Sequence, residues 1–135
     1  MLEDLRGRCN TIEECYEFLL AYAAQGLAAD AGTDKGSQLR NLLGRAVEAI
    51  RGLPQAYESA IATDGLEPAE KHRAFLAVLE MDSRHALAAV ELVSSQPAIS
   101  SQLVDNLNAS IHLRALLTDL FLVDEVAKSL QTAKK

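Results

Sequence analysis

Two of the three histidines, His85 and His112, carry the most versatile chemistry in the chain near neutral pH, as proton carriers or as ligands to a transition metal. They come within reach of each other if the stretches that hold them are antiparallel helices joined at Pro97-Ala98, because residues whose numbers sum to about 195 then share a height. That folding sets Ser110 opposite His85, which brings His85 within about a turn of His112. Continued through the turn near Gly65 it brings Glu48 toward the same height, and through residues 26–36 it brings Glu14 and Glu17. Two imidazoles and several carboxylates at mid-bundle are the raw material of a metal site. The spacing departs from the carboxylate-bridged di-metal pattern, which places Glu-x-x-His on two helices. Only Asp82-x-x-His85 approaches it, and Ala109 stands at the matching place before His112.

The second polar constellation runs from Ser100 to Arg114. Asn, Asp and Ser are middling to poor helix formers, so their density inside one helical stretch means that they satisfy one another, a neighbour or a ligand. On a continuous helix Asp105, Asn108, His112 and Asp119 fall on one side. Read structurally, they form a hydrogen-bonded layer that fixes helix register. Read functionally, Asp105, Asn108 and His112, with His85 opposite, form a ligand-binding face.

Other motifs are weaker. Gly32-Thr33-Asp34-Lys35-Gly36-Ser37 has the wrong order for a phosphate loop, which needs Gly-Lys-Ser after a four-residue spacer and a strand before it. Cys9 and Cys15 match no metal or redox spacing and read as reduced, packed thiols. There is no Gly-x-Ser-x-Gly, His-Glu-x-x-His or Gly-x-Gly-x-x-Gly.

The elements that would position these groups are helices. Ala and Leu supply 22 residues each, there are 3 Pro and no Trp, and 135 residues suffice for one helical domain, expected over 1–135. The net charge is −6, and residues 1–35 carry seven acids against three basic residues, so no face suited to neutralising phosphates is expected and nucleic acid is not an expected partner. No apolar run approaches the ~18 residues of a membrane span, and the first residues do not read as a targeting segment, so the expectation is a cytoplasmic protein without membrane contact.

Four segments carry helical periodicity. The first starts at Thr11, where Thr11-Ile12-Glu13-Glu14 reads as a capping box, and stops near Gly26. The second spans Ser37 to Thr63. Its seam Leu39, Leu43, Ala46, Ile50, Leu53, Tyr57, Ala60 keeps phase through Pro54, which predicts a bend with Leu53 and Tyr57 both buried. The third runs from Pro68 to Val93 on the seam His72, Leu76, Leu79, Ser83, Ala86, Val90, Val93. The fourth runs from Ser100 or Ser101 to Leu130 on the seam Leu113, Leu116, Leu120, Val123, Ala127, Leu130.

These segments predict an all-α, antiparallel up-and-down four-helix bundle with a short first helix; the alternative is a compact five- or six-helix bundle broken at Pro54 and Asp82. The last segment is apolar on more than one side, through Leu117, Phe121, Leu122 and Val126, which predicts a homodimer across that surface. With no catalytic motif present, the expected role is that of a non-enzymatic interaction or regulatory protein that self-associates and docks a partner protein. The alternative is a ligand- or metal-binding bundle, enzymes included, centred on His85, His112, Asp105 and Asn108. No particular cofactor is implied.

Overall fold

The computed structural model describes the backbone of residues 2–134 and the side chains of residues 2–129. These residues form six α-helices: α1 Leu2–Ala23, α2 Asp34–Arg51, α3 Leu53–Thr63, α4 Ala69–Ser94, α5 Ser101–Ala109 and α6 His112–Lys134. Helix accounts for 81% of the chain, and no strand occurs among the described residues. No helix there is long and apolar enough to cross a membrane.

The count corrects the four-helix expectation and agrees with the six-helix alternative. Both α1 and α4 pack against each of α2, α3, α5 and α6, but not against each other. The six helices thus occupy four positions: α1, then α2 followed by α3, then α4, then α5 followed by α6. Leu19, Leu43, Ile50, Leu79, Val90 and Leu116 fill the core between them. The side chain of Leu130, the last residue of the expected seam, lies outside the described residues.

The first helix begins at Leu2, nine residues before the expected start. Leu2 and Leu5 are buried and extend the apolar stripe of Ile12, Cys15, Leu19 and Tyr22 backwards, so packing carries the helix through the presumed cap. The Thr11 hydroxyl instead donates to the Gly7 carbonyl at 3.1 Å, one turn back within the same helix. The true start is capped from a distance, the Leu2 N–H donating to an Asp64 carboxylate oxygen at 2.6 Å.

The expected bend near Pro54 is a break of one residue, Gly52, with Leu53 and Tyr57 both fully buried below it. Pro54 sits in the first turn of α3, where its missing N–H costs nothing. The carbonyls left free at the end of α2 are covered from α1. Arg8 Nη1 donates to Glu48 O at 3.2 Å and Ala49 O at 3.3 Å, placing positive charge at the negative end of the helix dipole. Its guanidinium fills the space that a Cβ at position 52 would need.

The alternative placed a second break at Asp82, but α4 runs through it because Leu79, Ser83 and Ala86 are all buried on one seam. The second break falls at Ser110–Ile111, inside the segment expected to be continuous. Ile111 has φ +63°, a left-handed conformation that strains a β-branched residue, and its side chain is exposed. The Ser110 hydroxyl donates to Leu107 O at 2.6 Å, so the polar residues of this stretch end α5 rather than decorate one long helix. Ile111→Asn relieves the strain at a half-exposed side chain and is expected to stabilise the protein by about 1 kcal/mol, a few degrees in Tm. Thermal unfolding followed by circular dichroism measures this; an unchanged or lowered Tm would contradict the strained corner.

A network of polar groups ties the 24–33 loop to the segment between α4 and α5. The Tyr22 hydroxyl donates to Ile99 O at 2.8 Å, the Ser101 hydroxyl to Tyr22 O at 2.7 Å, and the Leu27 N–H to the Ser101 hydroxyl at 2.9 Å. Buried Asp30 accepts the Ile99 N–H at 2.7 Å and pairs with Arg40 Nε at 2.7 Å. Arg40 in turn donates to Ser94 O at 2.8 Å and Gln96 O at 2.9 Å, covering the end of α4.

Candidate functional site

The antiparallel pairing of α4 and α6 brings His85 and His112 together, with ring centroids 5.8 Å apart and planes at 65°. His85 is exposed and His112 half-buried. The rest of the expected ligand-binding face does not assemble around them. The break at Ser110–Ile111 puts Asp105 and Asn108 on a different helix from His112 and Asp119, so helical spacing no longer holds them on one side. Asp105 is exposed, and Asn108 turns to α1, its Nδ2 donating to Leu19 O at 3.3 Å. Glu48 and Glu14 are engaged elsewhere, with Arg51 at 2.9 Å and Arg45 at 3.8 Å. Among the described residues no group of three or more His, Cys, Asp or Glu side chains stands where it could hold a metal ion.

What the pairing of α4 and α6 does create is a mixed groove. Toward one end it deepens into a pocket of about 200 Å³ lined by Phe75, Leu122, Val123 and Val126. Its floor includes a 2.6 Å hydrogen bond between the Tyr57 hydroxyl and His72 Nδ1. Burial pushes the Tyr57 hydroxyl up to about 12 and lowers His72, so both remain neutral near pH 7. Val78 and Met81 on α4 are also exposed.

One to two turns along the same two helices, outside the lining of this pocket, stands a pair of carboxyls, Asp82 on α4 and Asp119 on α6. Burial, together with the hydrogen bond and negative charge of Asp82, pushes the Asp119 carboxyl up to about 7. Its Oδ2 is shielded from solvent and has no hydrogen-bond partner among the described residues. Two carboxyls this close cannot both ionise cheaply, so the Asp119 carboxyl keeps its proton well above the usual carboxylate range. The sequence named Asp82 and Asp119 in separate contexts; the antiparallel arithmetic leaves them nearly two turns apart in height, so it did not bring them together.

The apolar residues expected on the last segment divide. Leu117 is 3% exposed and belongs to the core, which removes it from the expected dimer surface. Phe121, Leu122 and Val126 remain 46%, 54% and 40% exposed. Phe121 turns toward α1, at the rim of a cavity of about 530 Å³ that also includes Leu5, Cys9 and Asp124, whereas Leu122 and Val126 border the α4–α6 groove. Burial raises both thiols, Cys9 to about 11 and Cys15 to about 12, which keeps them protonated and poorly reactive at neutral pH.

No protein-family model, curated protein or solved structure matches the chain.

Proposed function

We propose that the protein is a non-enzymatic interaction module of the cytoplasm that pairs with a second copy through the outward surface of α6 and docks a partner protein. The observation that carries this reading is the exposure of Phe121, Leu122 and Val126 on a single helix after the chain has folded, with Val78 and Met81 exposed on the neighbouring α4. Apolar side chains grouped in this way mark interaction surfaces more often than solvated ones. Self-pairing needs one patch that is complementary to itself under a two-fold axis, and the central part of α6 can supply it from both chains. The net charge of −6 supports a protein partner over a nucleic acid.

Sedimentation equilibrium at micromolar concentration tests the pairing. The native chain is expected near twice 14.6 kDa, and Leu122→Asp near 14.6 kDa with helical circular dichroism unchanged. A native mass of 14.6 kDa would overturn it. The rival reading, a ligand site at His85 and His112, is supported by their 5.8 Å ring approach. It predicts a bound metal or chromophore in elemental analysis and the absorbance spectrum of the purified protein.

A further inference from the structure

We propose that the groove between α4 and α6 receives a basic amphipathic helix of a partner protein, with apolar side chains seated against Phe75, Leu122 and Val126 and an arginine against the Asp82–Asp119 pair. This deepens the docking half of the proposed function and rests on it. The occupant is argued from shape, length and charge.

The groove is walled by two helices whose backbone groups are hydrogen-bonded internally, so it offers no strand edge, and the element that fits between two helical ridges is the side-chain ridge of a third helix. From Phe75 to His85 on α4 the strip is about 15 Å long at 1.5 Å per residue, room for roughly three turns. Its first half is apolar and its second half holds the carboxyl pair. An arriving helix therefore needs apolar anchors followed, one or two turns on, by a basic residue.

Arginine suits the pair because its guanidinium offers several N–H donors in a fixed fork, enough to span the two half-buried carboxyls from the solvent side. Among the described residues no cation is paired with Asp82 or Asp119. From α4 Asp119 is faced by Asp82, with His85 one turn further along, and on its own helix by His112 two turns back. On the α1 side, Arg6 pairs with Asp124 at 2.6 Å, and Glu13 lines that same cavity; on α5, Asp105 is exposed. Lys71 lies at the far, apolar end of the groove.

At pH 6 the Asp119 carboxyl mostly carries its proton and at pH 8 it has mostly lost it, because it is held up at about 7. A guanidinium replaces that positive charge, and the proton passes from the Asp119 carboxyl to buffer. Binding is therefore expected to strengthen as pH rises from 6 to 8, by at most about tenfold per unit below the pair's pKa. Leu122 and Val126 also belong to the self-pairing surface, so the docked helix and the second copy compete.

The test is fluorescence anisotropy with a labelled synthetic 14-residue Leu/Ala/Arg amphipathic helix and a twin carrying Glu in place of Arg, each titrated with the full chain at pH 6 and pH 8. The expected result is several-fold tighter binding of the Arg peptide at pH 8 than at pH 6, and little binding of the twin. Asp82→Asn with Asp119→Asn is expected to cost tenfold or more in affinity and to abolish the pH dependence, with helical circular dichroism retained. Glu3→Gln with Glu17→Gln removes the same charge from exposed positions on α1 and is expected to leave the affinity within about twofold, because such distant charges are screened. Equal losses in the two double variants, or no binding of the Arg peptide, overturn the proposal whatever mass the native chain shows. Arg-specific binding by a chain that sediments as a monomer supports it, while the self-pairing half of the proposed function then falls.

Discussion

Gly36→Ala is expected to be the most damaging single-methyl addition in the protein, lowering stability by about 3 kcal/mol or more. Gly36 lies in the first turn of α2 and is buried against the 24–33 loop. A Cβ there would stand 2.6 Å from the Asp30 carbonyl carbon and 2.8 Å from its Cα, with the carbonyl oxygen closer still. No flexible side chain can yield, because the obstacle is backbone, and that backbone is held in place. Asp30 O accepts the Thr33 hydroxyl at 3.0 Å, and Thr33 caps α2 by accepting the Gly36 N–H at 2.9 Å. Gly44 provides the contrast, since it sits in the interior of the same helix with nothing within 4 Å of its would-be Cβ. Gly44→Ala should stabilise by up to about 1 kcal/mol through helix propensity. Urea unfolding of both variants, followed at a helical circular dichroism band, checks the pair. Similar shifts in the two would mean that the loop does not lie against α2.

Asp30→Ala is expected to cost roughly 2 to 3 kcal/mol at pH 7, because it strips the partner from Arg40 and leaves the buried Ile99 N–H without an acceptor. The Arg40 hydrogen bond holds the Asp30 carboxyl down at about 2, against 3.8 for an ordinary aspartate. A folded-state pKa below the unfolded one means that the carboxylate's contribution is complete above pH 4 and is lost as pH falls through about 2. The stability gap between the native chain and Asp30→Asn should therefore be constant from pH 5 to pH 8 and close toward pH 2. Urea midpoints at pH 7, 4 and 2 give the comparison. A gap that persists unchanged at pH 2, or none at pH 7, would contradict the assigned ion pair.

These two residues also show where the sequence stops being informative. Helical class, the apolar seams of α2 and α4 and the approach of His85 to His112 all follow from local periodicity and short antiparallel connections, which a single chain displays openly. The Asp30–Arg40 pair joins a loop that looks flexible to a helix ten residues away, and its other partners are Ser94, Gln96 and Ile99, so nothing local marks it. The early start of α1 was hidden for a similar reason. Leu2 and Leu5 are in phase with the later stripe, but a plausible cap at Thr11 competed with them, and only tertiary packing decides between the two.

The break at Ser110–Ile111 was half legible. Unfavourable helix formers crowd the stretch, and the residues expected to form one polar face instead end one helix and begin another. That single interruption dismantled the expected ligand-binding face, because its argument depended on continuous spacing from Asp105 to Asp119. Antiparallel pairing survived the break, so the histidines met while Asn108 turned toward α1. The fate of Leu117 shows the remaining ambiguity: an apolar residue at the edge of a seam belongs to core or surface according to where neighbouring helices sit, and α1 and α4 cover the sides of α6 unequally.

The central claim, that α6 pairs with a second copy, is tested most directly by a distance between two copies. Thr118 lies one turn before Phe121 and Leu122 on the exposed side of α6, and Thr118→Cys keeps nearly the same volume. Cys9 and Cys15, raised to about 11 and 12, react slowly with thiol reagents, so a nitroxide label goes to the introduced cysteine. Pulsed dipolar spectroscopy on this protein should give one short distance, well inside about 30 Å, since contacting helices lie ~8–10 Å apart. A label at exposed Gln38→Cys on α2 should give a longer distance or none. No dipolar signal from Thr118→Cys at micromolar concentration, or a short distance from Gln38→Cys alone, would contradict pairing through α6.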